Sequence, residues 1–240
     1  LSQWRQDEEI KIFNDAVSQF FEKELKPHVE DWREAGAVPR DVWYKAAEQG
    51  LLLVSAPEEY GGAGGDFRHD AVIIEQLEQP GIAGFGIGLH NAIVAPYIIH
   101  YGSDEQKQRL LPKLASGELV CAIAMTEPGT GSDLQNIKTT AKKDGNGYVI
   151  NGSKTFITNG QTANLILVCA KTDPSKGAKG ISIMMVETDE VDGFERGRNL
   201  KKIGQPAADT SELFFNDVKV PASALLGPEE GQGFIQLMQQ

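Results

Sequence analysis

Residues 124–133 read AMTEPGTGSD and continue an apolar run that begins at residue 119. The run is typical of a strand, and the proline and glycines after it are typical of a turn. Glycines let a backbone pass close to a bulky ligand, while hydroxyls and bare N–H groups can bond a phosphate or the polar edge of a ring. A second stretch of this kind, NGSKTFITNG, occupies residues 151–160. The two stretches together indicate a binding site for one large, planar, phosphorylated cofactor.

The spacing at which apolar residues recur along the sequence changes near residue 119. Before it, apolar residues recur at helical spacing and predict four to six helices. The first helix is expected to end near Pro27, because proline breaks a helix interior. Ser103 and Gln106 predict a capping box for a helix that runs to Ala115.

After residue 119, apolar residues recur at about every second position, which predicts short strands. They are expected at residues 119–124, 148–150, 154–158, 165–170, 181–186 and 213–220. Asn146-Gly147 and Asn151-Gly152 predict hairpin turns. Short strands at this spacing favour a barrel or a sandwich. The predicted fold class is therefore α+β: an all-α helical domain at residues 1–118, a β-barrel or sandwich domain at 119–224, and the start of a further helical domain at 225–240.

The composition is that of a globular chain, with 240 residues, 40% hydrophobic and 24% charged, and a net charge of −11. An acidic surface repels phosphate backbones, so a general nucleic-acid binder is not expected. No apolar run reaches the roughly 18 residues of a membrane helix, so no membrane span is expected. Cys121 and Cys169 lie in apolar runs and are predicted to be buried, reduced thiols.

The titratable residues do not suggest a metal site. The four histidines, His28, His69, His90 and His100, lack ligand spacing and are expected on the surface or in the packing. Glu127 and Asp133 are expected to act as turn and cap partners rather than as acid or base. The glycines at residues 61–65 resemble a phosphate loop, but no Lys-Ser/Thr follows them, which favours a structural turn.

With their flanks, the two stretches resemble the acyl-CoA dehydrogenase family of flavoenzymes. The flanks are EYGGAG at 59–64, YGSDEQK at 101–107 and VKVP at 218–221. DLQ at 133–135 and ASALLG at 222–227 resemble the long-chain members most. The resemblance covers the whole chain and implies a helical domain, a β domain and a C-terminal helical domain, the last of which this sequence lacks.

The resemblance implies FAD as the cofactor. In the family the first stretch lines one face of FAD, where backbone groups at the positions of Ile123 and Met125, together with Thr126, meet the isoalloxazine ring. Gly131 and Ser132 would lie by the pyrophosphate, and Ser132 can also touch the acyl-CoA substrate. Donors near the N1/O2 edge of the ring would stabilise its reduced form.

The resemblance assigns the second stretch to the same ring. An aromatic side chain at Phe156 would lie against it with Ile157 beside it, and Thr158 would bond near the flavin N5. Phenylalanine replaces the tryptophan of some relatives, which keeps an apolar wall and loses an indole N–H; an ordinary core residue is the alternative interpretation. Ala178 and Lys179 lie in a loop that the family uses near CoA, where a lysine suits a phosphate. A solvated turn lysine is an equally good interpretation.

The implied reaction is α,β-dehydrogenation of a fatty acyl-CoA to the trans-2-enoyl-CoA. In the family a glutamate removes the α-proton while the β-hydrogen leaves as hydride to flavin N5. That glutamate belongs to the C-terminal domain, and no residue here matches it, so no catalytic residue is assigned. We therefore expect a fragment that begins at a trimmed end, stops within a helix and does not turn over alone.

Other functions remain open at this point. An acyl-CoA oxidase, or a flavin monooxygenase or nitroalkane oxidase of similar fold, would share the two stretches. A non-catalytic flavin- or CoA-binding module is a further alternative. The resemblance implies a homotetramer when full length and an electron-transfer flavoprotein as electron acceptor. A bacterial cytoplasm or a mitochondrial matrix would suit the chain, and the length of the acyl chain stays open.

Overall fold

A computed structural model describes residues 3–78, 81–82 and 84–240. The helices are α1 (Glu8–Phe20), α2 (Val29–Ala35), α3 (Arg40–Glu48), α4 (Phe67–Glu78), α5 (Ile87–Leu89), α6 (Ala95–Tyr101), α7 (Asp104–Ala115) and α8 (Gly233–Gln239). The strands are β1 (Cys121–Ala124), β2 (Thr140–Asp144), β3 (Gly147–Thr158), β4 (Leu165–Lys171), β5 (Ile181–Glu187), β6 (Phe194–Asn199) and β7 (Thr210–Pro221). The predicted fold class is confirmed, because a helical N-terminal domain precedes a β domain.

The predicted end of the first helix at Pro27 is wrong. A π turn, Phe21–Leu25, and a 3₁₀ turn, Lys26–His28, carry the helical path from α1 into α2. The proline occupies the first turn of the 3₁₀ segment, where its missing N–H needs no partner. The path ends instead at Gly36, whose φ of 74° is left-handed.

The predicted capping box is confirmed. The Ser103 hydroxyl accepts the Gln106 N–H at 3.2 Å, and the Ser103 N–H donates to the Gln106 side-chain oxygen at 2.9 Å. Helix α7 ends at Ala115, as predicted. The Gln106 amide also donates to the carbonyl of Leu225 at 2.6 Å, so the cap links the helical domain to the segment after β7.

The β domain is one curled sheet of seven strands. Its hydrogen-bonded order is β1-β4-β2-β3-β7-β6, with β5 also paired to β4. Strand β4 runs parallel to β1 and antiparallel to β5 and is buried along nearly its whole length. Strands β2 and β6 are mostly exposed, so they lack the alternating apolar pattern that would have predicted them.

The predicted turn at Asn146-Gly147 is confirmed, since Gly147 pairs with Asp144 across the β2–β3 hairpin. The turn at Asn151-Gly152 is wrong, because β3 runs straight through it. Gly152 marks a bulge, where the register against β7 shifts. Its φ is +153°, and an added Cβ would lie 2.3 Å from the Thr139 hydroxyl oxygen, so close backbone approach requires the glycine.

Two apolar clusters form the core, and each contains residues from both domains. The first joins Phe21 and Trp43 of the helical domain to Ala122 and Val168 of the sheet. The second joins side chains of α6 and α7 to alternate residues of β1, β4 and β5. Both faces of β1 and β4 are therefore covered, which holds the end of β1 firmly in place.

Candidate cofactor-binding site

The first stretch leaves β1 in a tight turn. Glu127 and Thr130 form a two-way backbone bridge, with N–H to carbonyl distances of 2.9 and 3.0 Å, around Pro128-Gly129. The second stretch lies alongside, because the N–H of Thr155 donates to the carbonyl of Thr126 at 2.9 Å. The structure thus brings the two stretches together as neighbouring segments of one surface.

A buried ion pair lies under this surface. The Lys154 ammonium donates to the Met125 carbonyl at 2.9 Å and to a Glu127 carboxylate oxygen at 3.0 Å. The Glu127 carboxylate also accepts the backbone N–H groups of Lys138 and Thr139. Its predicted role as a turn partner is present, but the pairing with a lysine was not predicted.

Both members of the pair have shifted pKa values. Burial lowers the pKa of Lys154, and the charge of Glu127 opposes that shift. Burial alone would raise the pKa of Glu127, but the ammonium and the backbone donors bring it below its usual value. The carboxylate is therefore ionised at neutral pH.

Phe156 is the most unusual residue of the second stretch. Its φ is +59°, a left-handed value that costs a non-glycine residue about 1–2 kcal/mol. It lies where the register of β3 against β7 shifts between Lys154 and Ile157, and its side chain is 66% exposed. The bulge turns an aromatic ring outward, which favours a ligand-facing role over the core alternative.

The neighbouring groups supply donors. Thr126 and Thr158 are half-buried, and Ser132 is exposed. No carbonyl of the described residues accepts the Thr126 N–H. Gly131 has no left-handed φ, and a Cβ there would meet nothing within 4 Å, so the protein's own packing does not call for glycine at this point. An aromatic wall, hydroxyl and N–H donors and an unencumbered glycine fit a flavin ring and its phosphates.

Three of the predicted contacts have side chains that point elsewhere. Ile123 and Ile157 are buried in the core at 7% and 2% exposure. Met125 is half-buried, and its side chain packs against the second cluster. Ile123 and Ile157 can therefore reach a ligand only through backbone groups, and the Met125 carbonyl is already bonded to Lys154.

The predicted CoA loop lies next to the first stretch. The 3₁₀ segment Pro174–Gly180, which holds Ala178 and Lys179, packs against the turn Leu134–Asn136 that follows Ser132. Lys179 is exposed, and Ala178 is half-buried. Asp133 stands at the N-cap position of this turn but makes no capping bond to a backbone N–H; its carboxylate instead accepts a hydrogen bond from the Asn136 side chain.

An apolar groove opens beside Thr158. It encloses about 430 Å³ between α4, the segment of residues 84–93 and the loop of residues 205–208. Its lining includes Phe67, Ile74, Gly88, Ala92 and Ile93. Phe67 and Ile93 are 69% and 46% exposed. A depression of about 470 Å³ on the outer side of α1 and α3 is lined mostly by charged and polar residues and lies away from β3.

Asn159 fixes the end of β3 and was also missed. Its φ is +61°, and its side-chain amide donates to the carbonyl of Cys121 at 3.2 Å. Its N–H donates to the carbonyl of Asp209. Asn-Gly after a strand is a turn signal; only the fold reveals that this asparagine joins the end of β3 to β1 and to the residue just before β7.

The remaining predictions concern sulfur, metals and membranes. Cys121 and Cys169 are buried and unbridged, as predicted. Residues 3–78, 81–82 and 84–240 contain no group of three or more acidic, histidine or cysteine side chains placed to hold a metal. Within the same residues, every helix is too short or too polar to traverse a bilayer.

Comparison with known proteins identifies the family. Residues 7–118 match the acyl-CoA dehydrogenase N-terminal domain, and residues 122–218 match the acyl-CoA dehydrogenase middle domain. The chain belongs to the acyl-CoA dehydrogenase family. It is 48% identical over 234 residues to the mitochondrial long-chain specific acyl-CoA dehydrogenase of Sus scrofa, which covers 97% of this chain and 54% of that protein.

Solved structures of acyl-CoA dehydrogenases agree with this family assignment. The acyl-CoA dehydrogenase of Geobacillus kaustophilus superposes with a TM-score of 0.95 and 53% identity over 100% of this chain and 63% of its own. The glutaryl-CoA dehydrogenase of Mycobacterium smegmatis, solved in complex with FADH2, superposes with a TM-score of 0.85 and 31% identity over 98% and 59%. The chain spans about half the length of the curated long-chain relative that it matches.

Proposed function

We propose that the protein is an FAD-dependent acyl-CoA dehydrogenase that converts a long-chain fatty acyl-CoA to the trans-2-enoyl-CoA. The observation that carries the proposal is the outward-facing Phe156, held on a left-handed bulge beside the Thr126 turn and two residues before Thr158, which lines the apolar groove. Bound FAD would accept the hydride that leaves the substrate. The relative solved with FADH2 supports this choice of cofactor.

Each predicted site residue has a role in this proposal. Thr126 and Thr158 donate hydrogen bonds to the ring, Phe156 covers one face, and the backbones of Ile123, Met125 and Ile157 border it. Gly131 and Ser132 flank the phosphates. Ser132, Ala178 and Lys179 hold the CoA portion, since the segment of residues 174–180 packs beside the turn after Ser132.

The long-chain substrate rests on two supports. The relative from Sus scrofa acts on long chains by name, and the groove beside Thr158 offers an apolar volume of the size that ligand pockets commonly have.

The proposed domain limits are residue 118, where the helical domain ends, and residue 224, where the β domain ends. The proposal also includes a homotetramer when full length, an electron-transfer flavoprotein as electron acceptor, and a location in the bacterial cytoplasm or the mitochondrial matrix.

Anaerobic titration of the full-length protein tests the function. Addition of a long-chain acyl-CoA should bleach the visible flavin band, and the same amount of glutaryl-CoA should bleach it far less. A protein that binds no FAD, or whose flavin stays oxidised with every acyl-CoA, would overturn the proposal. Rapid aerobic turnover with release of peroxide would identify an oxidase instead.

A further inference from the structure

Lys154 is the only buried lysine among the described residues, with 1% exposure, and it lies beneath the proposed flavin site. Strand β3 places its side chain inward, where the ammonium pairs with the buried carboxylate of Glu127. Burying an ammonium costs several kcal/mol before its partners are counted. Apolar residues of similar volume commonly replace buried ion pairs without loss of stability, so stability alone does not account for a lysine here.

The contacts of Lys154 converge on one peptide group. Its ammonium donates to the Met125 carbonyl at 2.9 Å, and that carbonyl shares a peptide plane with the N–H of Thr126. The described peptide bonds are all trans, so this N–H points away from the buried lysine. No carbonyl of the described residues accepts it.

A charged donor on a carbonyl polarises the whole peptide. Hydrogen bonds in series strengthen one another, and bonds that involve a charge are about twice as strong as neutral ones. The Thr126 N–H therefore becomes a stronger donor toward a negative ligand on the open side. The following peptide is fixed as well, because the Thr155 N–H donates to the Thr126 carbonyl at 2.9 Å.

We propose that Lys154 is a positioning residue for the flavin: it holds and polarises the Met125–Thr126 peptide, whose N–H then stabilises the reduced, negatively charged ring. This inference rests on the proposed function. Glu127 anchors the ammonium from the other side at 3.0 Å and is itself held by two backbone N–H groups. Lys154 thus acts through the peptide, without touching substrate or flavin.

The midpoint potential of the flavin tests the inference. It is measured anaerobically against reference dyes in the full-length, FAD-loaded protein and its Lys154→Met variant. We expect the equilibrium constant for two-electron reduction to fall on the order of tenfold, which corresponds to a potential about 30 mV more negative. The matched control is Lys142→Met, which removes the same charge from an exposed position of β2 and should leave the potential unchanged.

A second variant guards against misfolding. Glu127→Gln/Lys154→Met leaves no uncompensated buried charge, and it also loses the bond to the Met125 carbonyl. Its potential should be lowered as well. The inference is overturned if either folded variant keeps the potential of the unsubstituted protein, or if Lys142→Met shifts it equally. If the unsubstituted protein takes up no FAD, the proposed function fails together with the inference; if it binds FAD and only the shifts are missing, the inference alone fails.

Discussion

The imidazole Nδ1 of His90 accepts a hydrogen bond of 3.2 Å from the backbone N–H of Cys121, the first residue of β1. Because this nitrogen accepts, the other ring nitrogen, Nε2, carries the proton and donates to the Leu114 carbonyl at 3.1 Å. One neutral ring therefore joins the helical path between α5 and α6, the last turn of α7 and the strand that leads into the cofactor loop. Burial lowers the pKa of His90 to about 4.

This ring should make stability depend on pH. Its folded pKa lies below the ordinary value of 6.5, so the unfolded chain takes up the proton first. The contribution is complete above pH 6.5 and is lost as the pH falls toward about 4. A shift of roughly 2.5 pH units, at about 1.4 kcal/mol each, makes the full loss about 3.5 kcal/mol.

Urea unfolding between pH 7 and pH 4 measures this loss. A His90→Leu variant should lose less stability over that range than the unsubstituted protein, whereas His28→Leu, at an exposed position, should follow the unsubstituted curve. Parallel pH curves for His90→Leu and the unsubstituted protein would contradict the assignment.

Phe156→Gly should separate stability from cofactor binding. Glycine relieves the left-handed φ and removes a side chain that is 66% exposed, so the flavin-free protein should gain about 0.5–1 kcal/mol. Loss of the ring should weaken FAD binding about fivefold to tenfold. Denaturant unfolding measures the change in the free energy of unfolding, and flavin titration measures the change in the affinity for FAD. Phe156→Ala is the control, because it loses the ring and keeps the strain, and a stability gain in that variant would refute the argument.

Gly86 and Asn159 should be energetically coupled. A Cβ on Gly86 would lie 1.9 Å from the Asn159 side-chain oxygen, so Gly86→Ala must displace the amide that bonds Cys121. We expect a loss of about 1–3 kcal/mol. Asn159→Gly tolerates the left-handed φ and opens the space, so adding Gly86→Ala to it should cost little. A double-mutant cycle, with the free energy of unfolding measured in urea, gives the coupling energy between the two positions. If the losses of the two single variants simply add in the double variant, the predicted coupling is contradicted.

Ala92→Phe should shorten the substrates that are accepted. Ala92 lines the groove beside Thr158, and a phenyl ring there occupies volume that a long acyl chain would need. We expect kcat/KM to fall on the order of tenfold for long-chain acyl-CoA and to change little for short-chain acyl-CoA. Ala16→Phe makes the same substitution at the depression on α1 and should alter neither value. Equal losses for both chain lengths would show that the groove does not hold the chain.

Local signals in the sequence were sufficient for some elements. The Ser103–Gln106 cap, the turn at Asn146-Gly147 and the change from helical to strand period near residue 119 each depend on a few adjacent residues. The fold class follows from them. Family resemblance added the two cofactor stretches, and the structure sets Thr155 against Thr126.

Other features depend on partners that are distant in sequence. The register shift at Gly152 arises from pairing with β7 and from the approach of Thr139. The outward turn of Phe156 has the same origin, since its left-handed φ accompanies a second shift against β7. Lys154 looked like one polar residue among several in a strand, and its burial depends on a turn that begins 27 residues earlier in the chain. No short window of sequence contains that information.

Each of the two apolar clusters draws side chains from both the helical and the β domain. The helical domain and the β domain therefore share their hydrophobic core. We expect the chain to unfold in a single cooperative transition, in which neither domain stays folded without the other. Leu77 and Phe85, which line the groove beside Thr158, belong to the same apolar cluster as Ala124, which lies just before the turn that holds Thr126. The width of the groove would then be fixed when the protein folds, and substrates would be discriminated by how well they fit that fixed width.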